Sequence, residues 1–303
     1  MDDQQFEKLL NHFNLSWKGY RKVRKGVKKR ISRHMHELGC RRFNHYMEII
    51  SSDQEMEIAC KRHLAVSISR FFRDRELWEV LRDKTLPKLI ATVRNEENKG
   101  PFKVWSCGCA RGEEAYSFRI LWKEFKQEKE SCKNENRQLP EPELWATDIN
   151  STYLEMAMEG AYGYRSLKEL PSNLVEKYFR KVSGKNRYVI EPDLKGSITF
   201  GKHDIIEEPP PSENFSIVFL RNNLLTYYRS AEKENALTRI VASMKTGASM
   251  IVGSHENLPD GFNIMVPSPH SAGIYYKRPK VRGHKGIKGL QVERIQIGKI
   301  PQQ

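Results

Sequence analysis

A short run about a third of the way along the chain has the residue types and spacing of a ligand-binding turn. An apolar strand, Val104–Trp105, leads into small residues that include Gly108 and Gly112, and the carboxylate pair Glu113–Glu114 then opens an amphipathic helix. Small residues let the backbone approach a ligand closely. Carboxylates stand where a phosphate-binding loop would carry lysine, so phosphate fits poorly. A ligand with hydroxyls and a positive charge fits better.

Polar residues also follow three later apolar strands. Asp148 ends the second strand, where its carboxylate can accept hydrogen bonds from two ribose hydroxyls. Asp204 and Ile205 follow the third strand and would border an adenine ring, while Arg221 and Asn222 follow the fourth, where methyl-transfer chemistry would occur. One such aspartate alone is as often a helix N-cap. Because open α/β sheets bind ligands at the carboxyl ends of their strands, the set predicts an adenosyl ligand, and S-adenosylmethionine also carries the positive charge.

The surrounding pattern divides the chain into parts. Residues 1–75 read as a helical N-terminal domain and residues 76–100 as a linking helix. From residue 101 to 280 strands alternate with helices, which predicts an α/β fold with a mostly parallel, Rossmann-like sheet. Residues 161–197 are too long for a simple crossover and read as an inserted small β-subdomain. Residues 281–303 form a basic C-terminal tail.

Individual elements follow from periodicity and from punctuating residues. The apolar seam predicts one helix from Trp17 to Leu38, and Pro87 predicts a break in the linking helix. In the insertion, the pattern predicts a strand at Arg187–Ile190, a turn, and a second strand from Leu194 onward. The sheet strands are expected at Lys103–Ser106, Glu143–Ile149, Ile198–Phe200, Ile217–Leu220 and Ser249–Val252, with an antiparallel edge pair near 262–266 and 273–276.

The charge of the chain is large and uneven. The formal net charge is +14, and residues 21–33 hold eight basic side chains and no acidic one. A second basic zone runs from Lys277 to Lys299. Such patches attract acidic partners, and nucleic acid, an anionic membrane or an acidic protein surface would each qualify. A merely solvated helix face and a loose cationic tail are the simpler interpretations.

Several classes of protein are disfavoured by composition. No apolar run approaches the ~20 residues of a membrane helix, and the acidic start lacks a secretory signal, so we expect a cytoplasmic protein without membrane insertion. Five scattered cysteines do not suggest a disulfide framework. Cys107 and Cys109 lack a second ligand pair, so we expect packing in a tight turn and no metal site.

Five segments, in order, resemble the chemotaxis receptor methyltransferases, the CheR family. Ser67–Asp74 looks like the family's Asn-x-Thr-x-Phe-Phe-Arg segment, and Val104–Ser117 is similar to its Trp-Ser-x-Gly-Cys-Ser-x-Gly-Glu-Glu-Pro-Tyr-Ser turn. Ala146–Asn150 resembles Ala-Thr-Asp-Ile-Asp, Leu220–Tyr228 resembles Cys-Arg-Asn-Val-x-Ile-Tyr-Phe, and Gly253–Leu258 resembles Gly-His-Ser-Glu-Asn-Leu. The resemblance covers residues 1 to about 277.

The resemblance implies an S-adenosylmethionine-binding α/β domain and methyl transfer to glutamate side chains of receptor helices. The positions it assigns to cofactor binding are Ser67, Ser69, Arg73, Gly108, Glu113, Asp148, Asp204, Ile205, Arg221 and Asn222. Arg73 and Arg221 are the candidates for orienting the acceptor carboxylate, and Tyr227 could donate a hydrogen bond. A structural ion pair with Asp74 or Glu76 is the alternative role of Arg73, and a core position is that of Tyr227.

The chain departs from the family pattern inside these segments. Ser67 and Ser69 shorten the reach of the family's Asn and Thr. Arg111 stands where a small residue or Thr is usual, Ala115 replaces Pro, and Asp204 replaces Asn. Further departures are Leu220 for Cys, Thr226 in the Ile-Tyr pattern, and the inverted order Ser254-His255.

The expected partner is the acidic helical region of a chemoreceptor or related signalling protein, docked through the basic helix at Arg21–Arg33. We expect a monomer. Two other functions remain open. A nucleic-acid methyltransferase would suit the charge, but the sequence has no Asn-Pro-Pro-Tyr-type base-holding motif and no base-stacking module. A regulatory module that binds S-adenosylmethionine without transferring its methyl group would suit the departures.

Overall fold

The computed structural model describes residues 1–67, 69–95, 101–131, 139–184 and 186–279. The predicted basic tail, 281–303, lies outside these residues, as do the last five residues of the predicted linking helix. No helix in the described part of the chain is both long and apolar enough to cross a membrane.

Short helices form the N-terminal part. Their bounds are α1 Asp3–His12, α2 Trp17–Tyr20, α3 Arg24–Glu37, α4 Phe43–Ser52 and α5 Gln54–Leu64. The single helix predicted from Trp17 to Leu38 is wrong, because three turn residues separate α2 from α3. Val23 has αR backbone angles, and no side chain caps the first turn of α3. The apolar seam was real, since Val27 and Ile31 are buried in a core with Phe6 and Tyr46.

The linking segment is helical throughout its described length. It consists of α6 Arg75–Val80, a π-helical turn Leu81–Thr85, and α7 Leu86–Asn95. The break predicted at Pro87 is wrong, because the backbone stays helical through the proline. The irregularity lies directly before it, where the π-helical turn Leu81–Thr85 passes into α7.

A seven-stranded sheet forms the centre of the second part. The strands and helices run β1 Lys103–Cys107, α8 Glu113–Ser131, β2 Glu143–Asp148, α9 Ser151–Glu159, β6 Ile198–Lys202, β7 Phe215–Leu220, α12 Leu224–Tyr227, α13 Ser230–Ala242, β8 Met244–Val252, β9 Met265–Ser268 and β10 Ser271–Lys277. Their order is β6-β2-β1-β7-β8-β10-β9. The first five strands in this order are parallel to one another. Strand β10 is antiparallel to both of its neighbours, β8 and β9, so the predicted antiparallel edge pair is present. The order of the strands reverses at β1, so the crevice at β1 and β7 is where such sheets bind ligands.

The insertion between β2 and β6 forms its own three-stranded antiparallel sheet. Its elements are β3 Ala161–Gly163, α10 Ser172–Tyr178, β4 Phe179–Lys181, β5 Arg187–Ile190 and α11 Pro192–Lys195, with a 3₁₀ turn at Tyr164–Leu167. Strand β5 lies between β3 and β4. The predicted strand from Leu194 is wrong: Pro192 begins a short helix, and Leu194 is buried in the main core.

Two apolar cores cover the two faces of the large sheet, and a third fills the helical part. The helical part is joined to the sheet at the end of β7. The Ser16 N–H donates to the Tyr227 carbonyl at 2.8 Å, and Leu15 forms an antiparallel bridge with Tyr228. A Cβ on Gly19 would lie 2.2 Å from the Thr226 carbonyl oxygen, so only glycine permits this contact. The cleft described below therefore has a helical wall and a sheet wall.

Candidate active site

A cleft of about 300 Å³ lies between the carboxyl ends of the strands and the helical part. Nearly all the positions predicted from the sequence line it: Ser67, Ser69, Arg73, Gly108, Asp148, Asp204, Ile205, Arg221, Asn222 and Tyr227. These residues are far apart in the sequence, with about 160 residues between Ser67 and Tyr227. The exception is Glu113, which does not line the cleft.

The turn after β1 is held against the end of β2. The N–H groups of Gly108 and Cys109 both donate to the Thr147 carbonyl, at 2.8 and 2.9 Å. Gly108 has φ +75, and a Cβ there would lie 2.2 Å from Nδ2 of Asn223. A side chain at this position would collide with the loop after β7, so the glycine keeps the floor of the cleft open.

The two cysteines of this turn are buried within it. Burial raises the pKa of both thiols, and the nearby carboxylates Asp148 and Glu114 raise them further. The thiols therefore stay protonated at neutral pH and act as small packing groups. Among the described residues, no cluster of His, Cys, Asp and Glu is arranged to hold a metal ion.

Asp148 closes the turn from the other side. Its carboxylate accepts hydrogen bonds from the N–H groups of Ala110 and Asn150, both at 2.9 Å. Burial raises the pKa of this carboxyl, and the two backbone hydrogen bonds oppose the shift. The side chain is thus fixed in one orientation at the β2 end, with lone pairs left over for ligand hydroxyls.

The two glutamates at the start of α8 have different environments. Glu113 is fully buried behind the cleft wall, where it pairs with Arg111 at 3.0 Å. Glu114 lines the cleft and accepts from the Ser106 hydroxyl at 2.7 Å. Glu114 therefore joins the residues that line the cleft, although the sequence did not single it out. The cofactor contact predicted for Glu113 stays a prediction, and the Oε2 atom of Glu113 is buried without a hydrogen-bond partner in the described part of the chain. Adjacent helical residues point about 100° apart, and motif matching alone did not decide which one faces the cleft.

Arg111, a departure from the family pattern, has a structural explanation. Burial raises the pKa of the Glu113 carboxyl, and the Arg111 guanidinium is the largest opposing influence. The backbone carbonyl of Arg111 also accepts from the Tyr162 hydroxyl at 2.7 Å, which connects the turn to strand β3 of the insertion. Arg111 thus compensates a buried charge rather than disrupting the turn.

Arg221 is the centre of a buried ion network. Its guanidinium lies 2.6 Å from Asp74 and 3.3 Å from Glu114, and it donates to the Arg73 carbonyl at 2.9 Å. The side chain is only 4% exposed. Because its terminal nitrogens are engaged by these three groups, Arg221 is placed to position its neighbours. The further role predicted for it, that it orients an acceptor carboxylate directly, stays a prediction.

Arg73 is held at the edge of the cleft by the loop after β7. Its Nη2 donates to Oδ1 of Asn222 at 3.3 Å. Asn222 has φ +53, a left-handed conformation, and its N–H donates to Glu256 at 2.7 Å. Glu256 is buried and also accepts from Thr226 and from the Gly253 N–H. Sequence reasoning missed this anchoring role of Glu256, although the Gly253–Leu258 motif was the available signal.

One end of the cleft has the environment expected for adenine. Ile205 is buried there, and Asp204 caps its own turn by accepting from the Ile206 N–H at 2.9 Å. Tyr153 and Tyr228 also line the cleft, and sequence reasoning assigned them no role. Both are aromatic residues next to a predicted site element, which was the available signal.

The helical part supplies the wall around Tyr227. The ring of Tyr20 lies 5.0 Å from that of Tyr227, and the Tyr20 hydroxyl donates to the Leu64 carbonyl at 3.1 Å. Burial raises the pKa of Tyr227, so its hydroxyl stays protonated and can donate. Sequence reasoning did not include Tyr20 in the site, since no local pattern links residue 20 to residue 227.

The basic helix is used in two ways. Arg24 and Lys28 pair with Asp3, and Arg30 donates to the carbonyls of His63 and Ala65 at 2.9 and 2.8 Å. These three cations stabilise the helical part. The others are on exposed positions, and they include Arg21, Lys22, Lys25, Lys29 and Arg33.

Comparison with known proteins agrees with this site. The family model described as CheR methyltransferase, SAM binding domain, matches residues 67–271, more than half of the chain. The chemotaxis protein methyltransferase of Borreliella burgdorferi is 26% identical over 261 residues, covering 84% of this chain and 87% of that protein. That of Vibrio parahaemolyticus is 28% identical over 232 residues, covering 76% and 78%.

A third relative is much longer. An uncharacterized 104.1 kDa protein of Rhodobacter capsulatus is 27% identical over 242 residues, which cover 79% of this chain but only 24% of that protein. The chain therefore spans about a quarter of the length of this relative.

The cofactor can be tested against the residues in the cleft. S-adenosylmethionine needs acceptors for its hydroxyls and a carboxylate environment for its positive charge, and Asp148 and Glu114 line the cleft to supply them. Gly108 has no side chain to fill the space beside Asn223, so the cofactor can lie close to the backbone of this turn. The residues fit, so the cofactor predicted from the sequence is confirmed by the family match and suits the cleft. The chain belongs to the CheR methyltransferase family and is an S-adenosylmethionine-dependent methyltransferase in its fold and cofactor.

Proposed function

We propose that this chain transfers the methyl group of S-adenosylmethionine to glutamate side chains on an acidic helical region of a chemoreceptor or related signalling protein, forming methyl esters. The observation that carries this proposal is the position of Arg73. It lines the same cleft as the cofactor residues, is held there by Asn222, and belongs to the matched family segment. A guanidinium fits a carboxylate in a bidentate manner.

The chemistry needs little from the protein beyond positioning. A bound S-adenosylmethionine supplies a methyl group on a positively charged sulfur. A glutamate carboxylate is already a nucleophile at neutral pH, so no general base is required. The chain has to hold the carboxylate oxygen about 3 Å from the methyl carbon, in line and away from bulk water. In this proposal Arg73 orients the carboxylate and the Tyr227 hydroxyl donates to it.

Arg221 contributes indirectly. It bonds to the carbonyl of Arg73 and to Glu114, so it connects the acceptor side of the cleft to the cofactor side. Glu256 accepts a hydrogen bond from the N–H of Asn222 and so holds the residue that contacts Arg73. These two residues are positioning residues, and their loss should disturb the geometry around Arg73 rather than remove a contact with substrate.

Docking of the partner is proposed to use the exposed cations of the basic helix, chiefly Lys25, Lys29 and Arg33. Acidic helical bundles would be attracted to this face, and the attraction would weaken with salt. A cytoplasmic location and a monomeric state are part of the same proposal.

The proposal is tested with methyl-labelled S-adenosylmethionine and a purified cytoplasmic helical fragment of a bacterial chemoreceptor. Label should enter the fragment and should be released as methanol in mild alkali, as carboxyl methyl esters are. A fragment with glutamine at every acceptor position is the matched control and should stay unlabelled.

The remaining functions give different results in the same assay. Label in RNA or DNA would identify a nucleic-acid methyltransferase. Binding of S-adenosylhomocysteine without transfer to any acceptor would identify a regulatory module that has lost transfer. Either result would replace the proposed function.

A further inference from the structure

One face of helix α5 lines the cleft opposite the sheet. Glu57, Lys61 and Leu64 all line it, and their spacing of four and three residues places them on one side of the helix. None of the three was part of the site predicted from the sequence. A lysine on this face is notable because the proposed acceptor is an anion.

The cations available in the cleft are few. Among the described residues that line it, the lysine and arginine side chains are Lys61, Arg70, Arg73 and Arg221. Arg221 is engaged by Asp74, Glu114 and a backbone carbonyl, as described above. Arg70 pairs with Glu169 of the insertion at 3.2 Å. Arg73 is held by Asn222 at 3.3 Å. Lys61 differs from the three arginines because its ion-pair partner, Glu57, lies on its own helix.

The present partner of Lys61 is a carboxylate that can be exchanged. Its Nζ lies 3.2 Å from Oε1 of Glu57, four residues earlier on α5, and the two side chains are 30% and 37% exposed. Pairs of this kind contribute only about 0.3–0.5 kcal/mol. The Nζ also lies 5.9 Å from the centre of the Phe13 ring, a cation–π contact at the wall of the cleft. An incoming carboxylate could take the place of Glu57 at little cost.

A chain of contacts connects this helix face to the expected reaction end. The Leu64 carbonyl accepts from the Tyr20 hydroxyl, and the Tyr20 ring packs on Tyr227. The acidic side chains that line the same cleft include Glu114, Asp148, Asp204, Glu207 and Glu232. A lysine on this wall therefore offers an incoming carboxylate a favourable partner in a cleft that is otherwise rich in negative charge.

We infer that Lys61 is an acceptor-binding residue that selects carboxylate side chains, and that Glu57 occupies its ammonium group until the acceptor displaces it. The inference rests on the proposed function in one respect, namely that the acceptor is a carboxylate. It adds a residue outside the family-matched region, since the match begins at residue 67.

The test measures KM and kcat for the receptor fragment in Lys61→Met, Lys61→Arg and Glu57→Gln variants. Lys61→Met keeps an unbranched side chain of similar length but removes the charge. It should raise the KM for the fragment roughly three- to ten-fold, as loss of a partly buried ion pair would, with kcat changed less than about two-fold. Lys61→Arg should restore most of the affinity. Glu57→Gln should lower KM, because it removes the competing carboxylate.

A matched control is the pair Arg75–Glu79, which has the same i, i+4 spacing at 3.0 Å but does not line this cleft. Arg75→Met and Glu79→Gln change the net charge by the same amounts as the Lys61 and Glu57 variants. They should leave the KM for the fragment and the KM for S-adenosylmethionine unaltered. Equal effects in the two pairs would mean that net charge alone is responsible, and would overturn the inference. A change in the KM for S-adenosylmethionine instead of the fragment would also overturn it.

Binding of N-acetyl-glutamate amide separates this inference from the proposed function. The titration is followed by NMR in the presence of S-adenosylhomocysteine. If the wild type methylates no receptor fragment, the proposed function fails, but weaker binding of this probe to Lys61→Met than to the wild type would still support the role of Lys61. If methylation occurs and Lys61→Met behaves as the wild type in both assays, the inference fails and the proposed function stands. No binding of the probe to the wild type would also count against the inference.

Discussion

The guanidinium of Arg221 donates a hydrogen bond to the backbone carbonyl of Arg73 at 2.9 Å, across 148 residues of sequence. The same carbonyl accepts from the indole N–H of Trp78 at 2.9 Å. The segment before the linking helix is thereby fixed to the end of strand β7. The residue proposed to orient the acceptor depends on a neighbour that does not itself have to touch the acceptor.

Replacement of Arg221 should reveal this structural role. Arg221→Met leaves Asp74 and Glu114 beside a buried site without their cation, so we expect a loss of about 3 kcal/mol in the free energy of unfolding, measured with urea. The double variant Arg221→Met/Glu114→Gln should recover part of the loss, because one of the two stranded charges is gone. A stability equal to that of the wild type would show that the network is not formed as described.

Asp148 is expected to be essential for cofactor binding. Asp148→Ala removes the acceptor for ligand hydroxyls and also leaves the N–H groups of Ala110 and Asn150 without a partner. Calorimetric titration with S-adenosylhomocysteine should show an affinity at least about ten-fold lower, which corresponds to one charge-assisted hydrogen bond. Asp204→Ala serves as the comparison at the adenine end and should have the smaller effect. Unchanged affinity in Asp148→Ala would remove this residue from the site.

Gly108 and Gly26 should respond to alanine in opposite directions. At Gly108 the new Cβ would meet Asn223 at 2.2 Å with φ at +75, so Gly108→Ala should lower the stability by about 1–3 kcal/mol and weaken S-adenosylhomocysteine binding. At Gly26, inside α3, the new Cβ would have no atom within 4 Å apart from its chain neighbours and the backbone of its own helix. Gly26→Ala should therefore raise the stability by about 0.5–1 kcal/mol, as measured by thermal unfolding. A stabilising effect at Gly108 would contradict the close approach.

The histidine pair of the helical part predicts a pH dependence. The rings of His34 and His63 lie 4.5 Å apart, and burial lowers the pKa of both. The unfolded state then binds more protons than the folded state below the ordinary histidine pKa of 6.5. This contribution to stability is present above pH 6.5 and is lost as the pH falls through the lowered folded values. Urea unfolding from pH 8 to about pH 5 should show the loss.

The control for the pH experiment is the double variant His34→Asn/His63→Asn. It should have lower stability than the wild type at pH 8 because the Nδ1 of His34 lies 3.0 Å from the Tyr46 hydroxyl. Its dependence on pH between 6.5 and 5 should nevertheless be shallower. An unchanged slope would assign the acid sensitivity to other groups.

The exposed face of α3 should control the rate of partner binding. Lys25→Gln/Lys29→Gln removes two exposed charges, so association with the acidic receptor fragment should slow several-fold at low salt. The difference in association rate between this variant and the wild type should shrink at high salt, because salt screens the exposed charges. Stopped-flow measurements at two salt concentrations test this. Lys28→Gln is a useful comparison, since Lys28 pairs with Asp3 and should affect association less.

Much of the site could be predicted because its residues follow short, strongly patterned strands. Asp148 ends strand β2, and Asp204 and Arg221 lie within two residues of the ends of β6 and β7. Parallel strands present their carboxyl ends at one edge of the sheet. The family motifs added Ser67, Ser69 and Arg73 on the linker. Two predicted elements were wrong, the continuous helix across the turn before α3 and the strand at Leu194. Both depend on packing that periodicity does not encode.

The amino-acid sequence by itself determined the α/β class, the order of the elements, the cofactor and the strand ends that surround it, because these depend on alternation of apolar residues and on motifs a few residues long. Only the tertiary structure decided that Glu114 rather than Glu113 faces the cleft, that Arg221 is engaged by Asp74, and that Lys61 lines the opposite wall. Each of these depends on the rotation of a helix or on contacts between residues far apart in the chain. Such contacts are set by how the cores pack, and no local pattern specifies them.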